Sequence, residues 1–369
     1  MRERRIAVIG HPLAAEENRL AFGGWRSQVD LILPAHWHSR SLGHVYHAPR
    51  QYPGGPGRPS LHPLPVLGSG RNSLFMWIGL RALLRRLRPD AIYCWEEPWC
   101  LATRQVALAA RELGIPFLFY TAENRPKRLP WPFTRLLLAS FSAARACIAP
   151  TQEIAARIRE WGFAGTVFVV PLWIRARRPL SSEAAGRTLA YVGRLIPLKR
   201  VDVLVEAIAL LPGYRLRIIG DGPERERLIA LALGLGVLPR VDFRGHVDND
   251  GLEDELSGAS LLILPTGENS RQAEQFGKAA IEGVSCGLPV LASRTGNLAA
   301  LAEDFPTLAA RDLDTPAQMA EAVAAIFRAY PAPEALESAR LKAHAQYGPA
   351  AAARGLQSAV AGVLGDPVP

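Results

Sequence analysis

Two carboxylates, Glu274 and Glu282, stand eight positions apart, with seven residues between them, in the mostly apolar segment Glu274-Gln275-Phe276-Gly277-Lys278-Ala279-Ala280-Ile281-Glu282. Glu282 lies among Ala279, Ala280, Ile281, Gly283, Val284 and Cys286, where a charge is expensive to bury unless it meets a partner. Glu274 falls at a loop-to-helix junction, and a rise of ~1.5 Å per residue sets the two about 12 Å apart, or less if the first part of the segment is loop. That span lets one carboxylate meet a sugar and the other a ribose. A helix starting here also turns free N–H groups and the positive end of its dipole toward a phosphate. An ordinary helix with one N-terminal Glu and one paired Glu accounts for the spacing equally well. Upstream, Gly193-Arg194 closes an apolar run, and Lys199 follows five residues later. Two cations at a strand's carboxyl end suit a pyrophosphate, whose departure fixed positive charge stabilises. The alternative is a surface loop with two solvated cations.

These groups need strands and turns to hold them. Residues 261–264 and 289–293 are short apolar runs bounded by turn residues, as expected of parallel strands covered on both faces. Strands are also expected at 189–193, 215–219 and 241–245, with helices at 201–211, 252–257, 315–330, 331–348 and 350–363. Gly220-Asp221-Gly222-Pro223 turns the second of these strands toward a Glu/Arg-rich helix. In the first half, strands are expected at 6–10, 29–34, 90–95, 116–120, 148–150 and 166–170. Helices are expected at 74–87, 103–113, 133–146 and 151–161, the last capped by Thr151. Residues 48–72, rich in Pro and Gly, read as one long loop. Strand and helix alternate throughout, which predicts open parallel sheets with ligands at the carboxyl ends of strands. Glu96, Glu97, Trp99, Glu123 and Asn124 follow such ends and form a candidate acceptor-side wall, each with a solvated loop as the alternative. Trp95 and Trp99 flank Glu97, and Trp beside acids is a common sugar platform.

The pair Glu274/Glu282, with Phe276-Gly277 between and Gly287-Leu288-Pro289-Val290 after, resembles the family 4 (group 1) retaining glycosyltransferases of the GT-B fold. Gly193-Arg194 with Lys199, Gly220-Asp221-Gly222-Pro223 and Phe243-Arg244-Gly245 occur in that family's order, and Glu274-Gln275-Phe276-Gly277 is similar to a bacterial surface-polysaccharide branch. The resemblance runs from about 189 to 301 and is one of fold only before that. It implies an α/β protein of two Rossmann-like domains whose parallel sheets face across a cleft. An acceptor-binding domain would cover 1–172, a linker 173–186 and a nucleotide-sugar donor domain 187–345. A C-terminal helix at 346–369 would cross back to the first domain. The resemblance further implies a hexosyltransferase that retains anomeric configuration and needs no metal or other cofactor. Glu274 would contact the donor sugar's hydroxyls, Arg194 and Lys199 its phosphates and Glu282 the ribose, with Gly193, Gly220, Gln275, Phe276 and Gly277 lining the donor site. The acceptor would be a glycan or lipid-linked glycan in surface-polysaccharide assembly. The chain departs from the family in lacking His after its fourth and fifth strands, a Gly-rich turn after the first, and a Glu at Ala300. Those departures keep two other readings open, a sugar-nucleotide epimerase and a non-catalytic nucleotide-sugar-binding protein.

Composition sets the frame. With 369 residues and 49% hydrophobic content, the chain can build two or three cores. The net charge of +9 favours anionic partners such as nucleotide phosphates, a lipid phosphate or an anionic membrane surface. The Arg clusters at 81–88, 125–128 and 175–178 read as solvated faces. Scattered basic residues without an aromatic–basic motif speak against nucleic acid. Cys94, Cys100, Cys147 and Cys286 lack metal-ligand spacing and read as reduced core residues of a cytoplasmic protein, one that peripheral contact would place at the inner face of the membrane. No apolar run reaches the ~18 residues of a membrane span.

Overall fold

The computed structural model describes residues 3–39, 44–48, 54, 57–125, 127–175, 177–180, 186–247, 251–269 and 272–366. The chain divides into two compact units, residues 1–173 with 349–369, and residues 174–348. Of the linker expected at 173–186, residues 176 and 181–185 lie outside the described residues.

The first unit holds seven parallel strands: β1 (Arg5–Ile9), β2 (Gln28–Pro34), β3 (Ser60–Leu64), β4 (Ala91–Cys94), β5 (Phe117–Tyr120), β6 (Ala146–Ala149) and β7 (Thr166–Val169). Their order is β7-β6-β5-β4-β1-β2-β3, so it reverses between β1 and β4. Ile6, Ala7, Val8 and Ile9 are all fully buried, which is why this run reads as apolar on both faces. Helices α1 (Leu80–Leu87), α2 (Leu101–Leu113), α3 (Trp131–Ala143) and α4 (Gln152–Glu160) connect the strands. Thr151 caps α4, its Oγ1 accepting the Ile154 N–H at 3.3 Å.

Three expectations in this unit need correction. The helix expected over 74–87 begins only at Leu80, because Met76–Trp77 pairs as a short strand with Val66–Leu67 and Gln105 bonds both backbone groups of Trp77. The loop expected over 48–72 contains β3, which joins the sheet at its edge, where Pro63 lacks no needed donor. A buried pair holds it there: His62 Nε2 lies 2.7 Å from Asp30 Oδ1, and Arg5 completes the pairing of Asp30 at 2.6 Å. Other residues expected in that loop, 49–53 and 55–56, lie outside the described residues. Antiparallel strands His36–Ser39 and His44–His47 also form where none was expected.

The second unit contains β8 (Thr188–Val192), β9 (Arg215–Ile219), β10 (Val241–Gly245), β11 (Leu261–Leu264), β12 (Val290–Ser293) and β13 (Leu308–Arg311). All are parallel, in the order β10-β9-β8-β11-β12-β13, with the reversal between β8 and β11. Its helices are α5 (Val201–Leu210), α6 (Arg225–Gly234), α7 (Leu252–Leu256), α8 (Lys278–Ser285), α9 (Asn297–Asp304), α10 (Pro316–Arg328) and α11 (Pro333–Tyr347). The last helix, α12 (Pro349–Leu364), buries Ala352, Leu356, Ala359, Val360 and Val363 in the core of the first unit, beside Ile6, Val8 and Trp173. All four cysteines are buried and free. No helix among the described residues is long and apolar enough to cross a membrane.

Candidate active site

In the second unit the loops that follow β8 and β11 meet at the reversal of strand order, the place where open α/β sheets leave a crevice. Lys199 comes from the first loop and Glu274 from the second. Lys199 Nζ lies 2.7 Å from Glu274 Oε2, and each side chain keeps about a fifth of its surface open (21% and 20%). The Gly277 N–H donates to Glu274 Oε1 at 3.1 Å, and Lys199 Nζ also approaches Thr266 Oγ1 at 3.4 Å. Both carboxylate oxygens of Glu274 are thus engaged.

The loop is held from beneath. Asn297 donates its N–H to the Glu274 carbonyl at 3.1 Å and its Nδ2 to the Phe276 carbonyl at 2.7 Å. Gly296 lies in the left-handed region at φ +47°, and a Cβ there would strike the Glu274 carbonyl oxygen. On the β8 side, Gly193 and Gly220 pass so close that a Cβ on Gly220, at φ +145°, would strike the Gly193 carbonyl oxygen. The Tyr191 hydroxyl donates to the Arg194 carbonyl at 3.0 Å. Burial, reinforced by Glu274 and opposed by Arg194, pushes the Tyr191 hydroxyl up, so it stays protonated. The Arg194 side chain is exposed.

Two donor-side expectations change. The helix does not start at Glu274: α8 begins at Lys278, and Gly277, at φ +85°, breaks it from the residues before. Glu274, Gln275 and Phe276 therefore lie in a loop, and the helical spacing of about 12 Å does not apply to the Glu274/Glu282 pair. Phe276 is buried and packs edge-on against Tyr347 at 5.8 Å, so its ring anchors the loop, whereas Gln275 is exposed. Glu282 is buried within α8, with Arg177 Nη2 at 3.9 Å and Lys278 Nζ at 3.8 Å from its Oε1. Arg177 is itself buried, which corrects the reading of its cluster as a solvated face. By contrast Arg81 and Arg85 are exposed and share Glu112.

In the first unit the loops after β1, β4 and β5 gather at one edge. Glu96 is buried and takes His11, not solvent, as its partner. The His11 N–H donates to Glu96 Oε1 at 2.6 Å, and His11 Nδ1 lies 2.9 and 2.8 Å from the two carboxylate oxygens. Glu97 accepts from Thr121 Oγ1 at 2.7 Å and from the Ala122 N–H at 2.9 Å. Desolvation pushes its carboxyl up to about 7, against the lowering effect of those two hydrogen bonds. Glu123 is buried, pairs with Lys127 and accepts the Arg125 N–H at 3.2 Å; Asn124 is buried as well. The aromatic platform is not found. Trp95 and Trp99 are only 5% and 6% exposed. Trp95 is enclosed by Phe22, Tyr120 and Trp173, and Trp99 packs on Trp161 with Lys127 over its ring.

His11 and Arg177 escaped sequence reasoning, since each reaches its partner across a long stretch of chain with no local motif. A cavity of about 390 Å³ opens beside His11, Trp37 and Asn18. A larger one, about 630 Å³, lies at the amino ends of β2 and β3, beside Gln28 and Ser60 and away from these strand ends. Among the described residues no group of three or more His, Cys, Asp or Glu side chains is placed to hold a metal ion.

Comparison with known proteins matches both units. Residues 175–342 match the family described as Glycosyl transferases group 1, and residues 26–178 match Glycosyltransferase Family 4. A D-inositol 3-phosphate glycosyltransferase of Mycolicibacterium vanbaalenii is 33% identical over 174 residues, which cover 43% of this chain and 37% of that protein. The chain thus spans about a third of the length of the curated relatives it matches (37% and 35% for two of them). Among solved structures, a sucrose-phosphate synthase from Thermosynechococcus elongatus superposes with a TM-score of 0.74 at 19% identity, covering 98% of this chain and all of the other (100%). Anabaena Alr3699/HepE in complex with UDP gives 0.70 at 16% identity, covering 97% and 100%. At such identities the likeness is one of fold.

Proposed function

We propose, for a chain that belongs to the group 1 glycosyl transferases and carries two Rossmann-like domains of the GT-B class, the retaining transfer of a sugar from a nucleoside-diphosphate donor to a hydroxyl acceptor. The observation that carries this reading is the Lys199–Glu274 pair, 2.7 Å apart at the reversal of strand order in the second unit. A cation and a carboxylate side by side suit the two ends of a sugar diphosphate. Lys199 and the exposed Arg194 neutralise the diphosphate as the C1–O bond breaks and the electron pair leaves with it. Glu274 accepts hydrogen bonds from the hydroxyls of the sugar that stays behind. The acceptor oxygen then bonds to C1 on the face the diphosphate leaves, and its hydroxyl proton passes to the departing phosphate oxygen. Preorganised charge of this kind acts as fixed stabilisation of the developing anion, so the reaction proceeds without a metal ion. Glu282, backed by Arg177, contacts the ribose.

The UDP in the Anabaena neighbour supports a nucleoside diphosphate as the leaving part. The net charge of +9 supports an anionic acceptor, a glycan or lipid-linked glycan of surface-polysaccharide assembly, and peripheral contact with an anionic membrane. The test is incubation of the protein with UDP-, GDP- and ADP-sugars in EDTA, following nucleotide release and the anomer of the sugar product by NMR. Release from one nucleotide class with the donor's configuration kept is the expected result. Inversion, or strict dependence on added metal, rejects the mechanism.

A further inference from the structure

Arg340 and His344 stand one turn apart on α11 and grip both backbone groups of Arg177. The Arg177 N–H donates to His344 Nε2 at 3.3 Å, and Arg340 Nη1 donates to the Arg177 carbonyl at 3.4 Å. The same segment is tied down on either side. The Ile174 N–H donates to the Tyr347 carbonyl at 2.8 Å, the Arg178 N–H to Glu253 Oε1 at 2.9 Å and the Leu180 N–H to the Cys286 carbonyl at 2.9 Å. From this anchored backbone the Arg177 guanidinium, with 2% of its side chain exposed, reaches within 3.9 Å of Glu282. The place of a buried carboxylate is thereby set by a backbone held from α11.

Both nitrogens of the half-buried His344 ring face donors, the Arg177 N–H at Nε2 and Arg340 Nη1 at Nδ1, the latter at 3.4 Å. A neutral imidazole keeps one nitrogen that accepts, whereas an imidazolium has none. Whichever nitrogen carries the neutral ring's hydrogen, protonation removes the last acceptor and sets a new cation between Arg177 and Arg340. Glu337 on α11 is the acid on the ring's own helix, while Glu253 on α7 and Glu282 with Lys278 on α8 surround Arg177. The Cys286 thiol, pushed up to about 12 by burial, stays neutral. Desolvation and Arg340 hold the ring below its ordinary 6.5, against the Ser285 carbonyl and Glu337. Stability from the neutral ring is therefore complete above 6.5 and is lost as pH falls below that value.

We propose that His344 is a positioning residue for the Glu282 carboxylate: with Arg340 it clamps the Arg177 backbone, and the clamp opens when the imidazole takes up a proton. That Glu282 meets a nucleotide rests on the transferase reading; the clamp does not.

The experiment compares the full chain with His344→Gln, whose side-chain oxygen accepts a hydrogen bond at every pH. Hydrogen–deuterium exchange of the peptide carrying Arg177 and calorimetric titration with UDP, GDP and ADP are run from pH 8 to pH 5. The nucleotide's own phosphate titrates near pH 6 in both experiments, as does the intrinsic exchange rate, so only the difference between the two proteins counts. Toward pH 5 the parent should exchange faster and bind nucleotide ~3-fold or more weaker relative to the variant, as loss of one hydrogen bond does. Where His344→Gln does not fold, Arg340→Gln takes its place, and removal of that cation should move the parent's acid transition to higher pH. Parallel exchange profiles overturn the clamp. Diverging exchange with parallel affinities overturns the positioning of Glu282. Absence of nucleotide binding at every pH in both proteins sinks the transferase reading instead, and the exchange profiles alone then decide the clamp.

Discussion

Lys199 and Glu274 lie 75 residues apart in the chain and meet at 2.7 Å. Each belongs to a loop that leaves one of the two strands flanking the reversal of the second sheet. The first unit repeats the arrangement with His11 and Glu96, 85 residues apart, at its own reversal. In both units the topology brings a nitrogen group and a carboxylate together at the edge where a doubly wound sheet opens. A partly exposed ion pair such as Lys199–Glu274 adds only ~1 kcal/mol to stability, so its worth lies in the charge it offers a ligand.

Lys199→Ala, alone or with Arg194→Ala, is accordingly expected to leave the melting temperature nearly unchanged. It should slow transfer by ~100-fold or more, the usual cost of losing one oriented stabiliser of a leaving anion. Steady-state kinetics separate the effects: the fall should appear mainly in kcat. A loss confined to KM would make these cations anchors only.

Glu282→Ala leaves the buried Arg177 guanidinium without the carboxylate 3.9 Å away. Removing one member of a buried pair costs ~3–5 kcal/mol, so the variant should melt well below the parent. Nucleotide affinity should fall too if Glu282 meets the ribose. Calorimetry on Glu282→Gln, which keeps the shape, decides the second point: undiminished affinity rules out the ribose contact.

The Glu97 carboxyl, held at about 7 chiefly by desolvation, gives the first unit a pH dependence. Its folded value lies above the ordinary 4.5, so the native state holds a proton that the unfolded chain gives up earlier. Stability from this group is present below about 4.5, falls between about 4.5 and about 7, and is flat above, a change on the order of 3 kcal/mol. Glu97→Gln cannot titrate. Its melting temperature should gain on the parent's as pH rises from 5 to 8, and parallel profiles would remove the claim.

Much of this architecture can be read from residues alone, for stated reasons. Ile6–Ile9 and Leu261–Leu264 are buried on both faces, so their apolar runs announce parallel strands, and the turn residues after them mark the edge where ligands belong. What escapes reading depends on distant partners. Strand β3 lies in a Pro/Gly-rich tract and is recruited by the Asp30–His62 pair across the sheet. Arg177 sits in an Arg-rich stretch but reaches inward to Glu282. Where α8 begins is set by Gly277, whose left-handed conformation no periodicity reveals. Trp95 and Trp99 looked like ligand platforms beside Glu97, yet the sheet needed their bulk for its own core.

Gly296→Ala should distort the Glu274 loop from below. The new Cβ meets the Glu274 carbonyl, and φ at +47° adds backbone strain, together ~1–3 kcal/mol. Activity should fall with stability, because the carboxylate is displaced with its backbone. Scanning calorimetry beside a donor-release assay checks this: normal activity at normal stability contradicts the placement of Glu274.

The most direct measurement is thermal denaturation of the whole chain with UDP, GDP, ADP and their sugars in EDTA. A ligand that binds only the folded state at 100 times its Kd stabilises by ~2.7 kcal/mol. One nucleotide class should raise the melting temperature, and its shift should shrink in Lys199→Ala. No shift from any nucleotide would contradict the donor site and leave Lys199 and Glu274 as a structural pair.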